Sequence, residues 1–120
     1  MKKNMYRKNT KHFGDLSQID VMYSRPEDDC SVLVLVAVGY VNGNPENQAD
    51  LLDKLEGYLN HINSDDFKVD YPQSTVYIDI TFQEMPHVHI TDLLFKCIPW
   101  CKENGAVLRV KIGEDYYSFI

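Results

Sequence analysis

Residues 31–41 read Ser-Val-Leu-Val-Leu-Val-Ala-Val-Gly-Tyr-Val, and Val32 to Val38 is the longest apolar run in the chain. It is far shorter than the roughly 18 residues a membrane helix needs, and its β-branched content suits a strand. Val32, Val34, Val36 and Val38 would share one face and Leu33, Leu35 and Ala37 the other, because successive strand side chains point to opposite sides. A strand covered on one face only alternates apolar with polar residues. This one does not, so both faces call for cover.

Working upstream, Ile19, Val21 and Tyr23 alternate with Asp20, Met22 and Ser24 as in a half-buried strand. Arg25-Pro26-Glu27-Asp28-Asp29 breaks the pattern with a fixed φ and clustered turn formers, so the two strands should form an antiparallel hairpin. Downstream, the second strand is expected to run to Val41. Asn44 then caps a helix that has Pro45 at its first position. Leu51, Leu52, Leu55, Tyr58, Leu59 and Ile62 form one apolar stripe, with Asp50, Asp53, Lys54, Asn60 and His61 largely outside it. Gly57 weakens this helix unless something packs closely there. Asn63-Ser64-Asp65-Asp66 should end it, and Asp70 to Ser74 reads as a loop.

Val76, Ile78, Ile80 and Phe82 alternate with Tyr77, Asp79, Thr81 and Gln83, the cleanest strand signal present. Ile90, Leu93, Leu94, Cys97, Ile98 and Cys101 make a second helical stripe, expected to be capped by Thr91 and to kink or end near Ile98 because of Pro99. Asn104-Gly105 offers a left-handed stop. Leu108, Val110 and Ile112 predict a fourth strand, with Asp79 placed to pair with Arg109 or Lys111 across the sheet. Tyr116 to Ile120 is too apolar to float and should dock back, as a short fifth strand after the turn at Gly113.

The predicted fold is α+β, a two-layer α/β sandwich in the order β-β-α-β-α-β. It has a mixed four-stranded sheet with two helices on one face. Residues 1–14 read as a basic N-terminal tail and 15–120 as one domain, in keeping with a chain of 120 residues. Helices on one side leave the Val32–Val38 face bare. The aromatic tail, a second copy of the chain or another protein could cover it.

The net charge is −6, but Lys2, Lys3, Arg7, Lys8 and Lys11 all lie in the first twelve residues. The rest holds 7 basic and 18 acidic side chains, a balance of −11. That sign repels nucleic acid and anionic membrane and favours a basic protein partner. The basic head has no apolar segment behind it, so no secretory signal is read and a cytoplasmic location is expected. Three cysteines without framework spacing argue against a disulfide scaffold.

Chemistry is sparse. His87, His89, Cys97 and Cys101 could supply a His2Cys2 metal set, since residues four apart on a helix share a face. Against that, both cysteines lie in the apolar stripe, where thiols act as small hydrophobes. The acid pairs Asp28-Asp29, Asp65-Asp66 and Glu114-Asp115 sit in turns, where solvation keeps both members ionised. No phosphate-binding loop, nucleophile elbow or calcium loop is present, so no cofactor and no catalytic residue are assigned.

The stretch LLDKLEGYLNHINSDDFKVDYP, then VYIDITF, then KENGAVLRVKI resembles a family of small uncharacterised bacterial proteins over residues 51–112. The matching positions are Leu51, Leu52, Lys54, Leu55, Tyr58, Leu59, Ile62, Tyr71, Pro72, Ile78, Asp79, Phe82 and Gly105. These are mostly core and turn positions, so the resemblance implies a fold and no activity. By size and acidity the chain is similar to immunity proteins that neutralise basic nuclease toxins. The expectation is a non-enzymatic module that binds a basic protein through Asp53, Glu56, Tyr77, Asp79, Trp100 and Tyr117. A structural homodimer and a small metal-dependent enzyme built on His87, His89, Cys97 and Cys101 are the alternatives.

Overall fold

A computed structural model describes residues 9–72 and 74–119. The basic residues Lys2, Lys3, Arg7 and Lys8, as well as Gln73 and Ile120, lie outside that range. Five strands form one mixed sheet: β1 Val21–Arg25, β2 Cys30–Ala37, β3 Thr75–Phe82, β4 Ala106–Ile112 and β5 Asp115–Tyr116. Their spatial order follows the chain, β1-β2-β3-β4-β5. The β1/β2 and β4/β5 pairs are antiparallel and the two central pairs parallel. The helices are α1 Pro45–Ile62, α2 Asp65–Asp70 and α3 Val88–Glu103. The α+β class is as expected; among the described residues β5 adds to the four-stranded sheet as the short strand expected after Gly113, and there are three α-helices rather than two. Among the described residues no helix is long and apolar enough to cross a membrane.

Both parallel connections step in the same direction along the sheet, which places α1 and α3 on one face. Register aligns Leu33, Ile78 and Leu108 in one row and Leu35, Ile80 and Val110 in the next. These rows meet Leu51, Leu55 and Leu59 of α1 and Ile90, Leu94, Cys97 and Cys101 of α3 in a single core. Full burial of each large side chain contributes about 1.5–3 kcal/mol.

The local signals explain most boundaries. The Asn44 side chain accepts a hydrogen bond from Asn47 N at 2.7 Å, with Pro45 opening α1 as expected. Ser64 caps the unforeseen α2 by accepting from Phe67 N at 3.2 Å, and Phe67 drops into the core. β2 stops at Ala37 instead of Val41, because the chain turns through Gly39 at φ +74°. The cap of α3 is His87, whose ring accepts from His89 N at 3.0 Å. Thr91 is instead buried one turn later, donating to Val88 O. The helix continues through Pro99 to Glu103. Phe95 and Pro99 both lie on its exposed side, so the missing hydrogen bond falls where water can replace it.

Residues 9–14 do not all belong to a tail. Phe13 and Leu16 are 1% exposed, and Val38 N donates to His12 O at 2.8 Å just beyond the start of β1. The device that holds this segment is Lys54. It is completely buried, and its ammonium donates to Phe13 O and to Asp20 Oδ1, the latter at 2.7 Å. Asp20 Oδ2 accepts from Val36 N at 2.9 Å, and the Tyr58 hydroxyl donates to Val34 O while accepting from Asp20 N. Side chains from α1 and from the lead-in to β1 thus bond directly to the β2 backbone. Burial, the largest cause, raises the Tyr58 pKa well above its ordinary 10.0.

Candidate functional site

The sheet face away from the helices carries Tyr23 and Val21 from β1, Val32, Val34 and Val36 from β2, and Tyr77, Asp79 and Thr81 from β3. Val107, Arg109 and Lys111 of β4 and Tyr116 of β5 complete it. Among the described residues no terminal segment seals this face. Its centre is roofed by its own side chains, and Val32 is buried beneath them while Val34 and Val36 are half-buried.

The roof is built around an ion pair. Register sets Asp79 beside Arg109. Arg109 Nε donates to Asp79 Oδ1 at 2.7 Å and Nη2 to Oδ2 at 3.0 Å, a bidentate fork. The Tyr116 hydroxyl donates to the same carboxylate at 3.2 Å. It arrives there because Gly113, at φ +63°, turns the chain so that Tyr116 pairs with Lys111. The Arg109 guanidinium sits 4.0 Å from the Tyr77 ring centroid and 4.9 Å from that of Tyr116. Asp79 is only 2% exposed. Leaving water costs a carboxylate several kcal/mol, which the fork and the hydroxyl offset. Burial works against the Arg109 charge, yet the Asp79 hydrogen bonds and charge outweigh it and its pKa stands above the ordinary arginine value. For Tyr116, burial and then the Asp79 charge push the hydroxyl pKa upward, against the opposing pull of Arg109.

Beside this centre lies a cavity of about 220 Å³, walled by Tyr77, Arg109 and Tyr116, with Val32 and Thr75 also lining it and Arg25 contributing. Arg25 stands over Tyr23 at 5.8 Å and makes a long, exposed pair with Asp28 at 3.9 Å. Around the sheet end, Pro26, Asp29, Asp70, Tyr71 and Pro72 line a shallower depression of about 360 Å³. Cys30 borders both.

Two of the six predicted contact residues, Tyr77 and Asp79, meet here, and Asp79 is consumed by Arg109 instead of being presented outward. Asp53 and Glu56 are on α1, across the sheet. Trp100 and Tyr117 are half-buried against the core. Tyr117 N donates to Val110 O at 2.7 Å and its ring meets Phe119, which in turn contacts Phe95 of α3. The aromatic tail therefore covers the helix side, and only Tyr116 reaches the open face. Arg25 was not foreseen as a site residue, and Tyr116 was expected only as one of several aromatics able to anchor an interface. The signals for them were the outward position of Arg25 on β1 and the glycine turn preceding Tyr116.

The metal set is not assembled. His87 and His89 stand at the start of α3, their ring centroids 4.5 Å apart. Cys97 and Cys101 are buried further along the helix, with Cys97 about 12 Å beyond His89 at 1.5 Å per residue. Among the described residues no group of three or more His, Cys, Asp or Glu could hold a metal ion. Burial raises the Cys97 pKa, while burial and the neighbouring Cys97 push Cys101 up to about 12 from 9.0, so both are kept as neutral thiols. Comparison with protein-family models, curated proteins and solved structures returned no match.

Proposed function

We propose that this chain is a cytoplasmic, non-enzymatic protein-binding module that uses the open sheet face as its contact surface and takes a basic protein partner. A role of the immunity-protein kind, neutralising a basic toxin, is the specific form of this reading. The observation that carries it is the clustering of exposed apolar side chains. Val21, Tyr23, Val107 and Tyr116 all project from that face and are between 39% and 54% exposed. Val38 continues the same edge beside Val21 and Val36. Aromatic and aliphatic anchors around a desolvated centre are the usual makings of an interface core.

The charge of the rim supports the sign of the partner. Glu27, Asp28 and Asp29 follow β1 directly, and Asp29 and Asp70 share the depression at the sheet end. Acids bordering an apolar surface steer a cationic partner and fix its register.

Affinity capture from the native host, run in parallel with Tyr23→Asp and with Glu27→Gln/Asp28→Asn, tests it. A basic protein retained by the parent and lost from both variants is the expected result. Equal retention by all three refutes the assignment of the surface. Sedimentation velocity separates the competing occupant: a dimer dispersed by Tyr23→Asp would give the face to a second copy of the chain.

A further inference from the structure

We propose that the cavity beside Arg109 binds a small monocarboxylate carried on an apolar body. The argument begins with donors. A guanidinium has five N–H groups. Two of those on Arg109 go to Asp79, and among the described residues no acceptor meets the other three. Its position is fixed from three sides: Asp79 holds one edge, and the rings of Tyr77 and Tyr116 flank it. What remains is the outer edge, in the wall of the cavity. A planar donor edge locked in place is the geometry that receives a carboxylate in two parallel hydrogen bonds.

The second cation is Arg25. Its side chain is 56% exposed, and its exposed pair with Asp28 at 3.9 Å leaves it able to swing over an anion. The other walls decide the rest of the ligand. The rings of Tyr77 and Tyr116 offer apolar faces for a ligand ring to stack on, while Asp28, Thr75 and Arg25 make the rest of the exposed wall polar. A volume of about 220 Å³ equals about seven waters at ~30 Å³ each, room for a single ring or a short branched chain. Charge selects a monoanion. Arg25 and Arg109 are balanced by Asp28 and Asp79 in the same neighbourhood, so a dianionic phosphate meets two carboxylates with no net positive charge to offset them. The cavity shares Tyr116 with the proposed protein-contact face, and the same carboxylate chemistry is offered by the C-terminal residue of a peptide.

The test is titration of the full-length, 15N-labelled chain with benzoate, followed by amide and arginine side-chain shifts. Saturable shifts at Val32, Tyr77, Arg109 and Tyr116 are expected, with benzamide at least tenfold weaker. Arg25→Gln changes an exposed side chain and keeps the Asp79–Arg109 pair, so it should fold normally. It should weaken benzoate about tenfold, the scale of one charge-assisted hydrogen bond. N-acetylphenylalanine and its amide distinguish the sources. Tighter binding of the free acid than of benzoate points to a chain terminus, and weaker binding points to a free small acid. Three results would each overturn the proposal: no saturation at millimolar benzoate, equal binding of benzamide, or phenyl phosphate binding more tightly than benzoate.

Discussion

Replacing Lys54 by Met removes one charge from the centre of the fold while keeping most of the side-chain volume. The ammonium is wholly buried and serves Phe13 O and Asp20 Oδ1. Removing one partner of a buried pair costs about 3–5 kcal/mol, because the other is left uncompensated. Here the leftover carboxylate is 24% exposed and keeps its hydrogen bond from Val36 N, which favours the lower end. The Phe13 carbonyl loses its ammonium donor, a desolvation cost of about 1–3 kcal/mol. The two terms overlap, and a net loss of about 3 kcal/mol is expected, or about 12 °C in Tm for a domain of this size. Urea unfolding followed by the fluorescence of Trp100, the single tryptophan, measures it. Lys54→Met combined with Asp20→Asn should cost less than the two separate losses together, since neither orphan charge remains. A loss under about 1 kcal/mol, the range of an exposed ion pair, would show that the bridge does not anchor residues 9–20.

Asp79→Asn keeps the shape of the open-face centre but removes its charge, and should destabilise the chain by about 2–3 kcal/mol, read as a lowered urea midpoint; an unchanged midpoint would refute the energetic role of the fork. Gly43→Ala places a Cβ 2.6 Å from His87 Nδ1 and 2.8 Å from His89 Cβ, so about 1–3 kcal/mol should be lost, and His87→Ala should recover part of it. Gly57→Ala behaves oppositely: its Cβ would lie 3.6 Å from Leu16 O, an ordinary contact, and α1 should gain up to about 1 kcal/mol in thermal melts. High pH should unfold the chain, because Tyr58, Cys97 and Cys101 all have folded pKa values raised above their unfolded ones. Their contribution is complete below about pH 9 and declines above it, by up to ~1.4 kcal/mol per pH unit for each group between its unfolded and folded pKa. A flat urea midpoint from pH 9 to about 11 would contradict this.

Much of the fold was legible because periodicity reports burial. Tyr77, Asp79 and Thr81 alternate with core residues, and a pair of Asp79 with Arg109 or Lys111 followed from laying two such strands side by side, the register selecting Arg109. Asn44-Pro45 and Gly105 are local signals that need no tertiary information. Lys54 was misplaced for the opposite reason. A lysine reads as solvent-facing unless its partner is known, and Asp20 is 34 residues away. Phe13 and Leu16 are only two apolar residues beside a cation-rich head, too few to show a period. Helix α2 is six residues long, less than two turns, and its Ser64-Asp65-Asp66 start resembles a loop. The candidate site was half visible. Its ion pair came from cross-strand register, but the Tyr116 lid depends on the path of a glycine turn, and Arg25 gains meaning only beside the cavity.

The sheet is laid down in the same sequence in which it is synthesised. As the polypeptide leaves the ribosome, every new strand finds its neighbour already exposed on the growing edge, with no gap held open for a later insertion. Among these strands β5 joins last, on the edge that β4 offers. The Tyr116 lid and the cavity wall it supplies would then form after the other four strands are in place, so the sheet would be built before the cavity is able to bind.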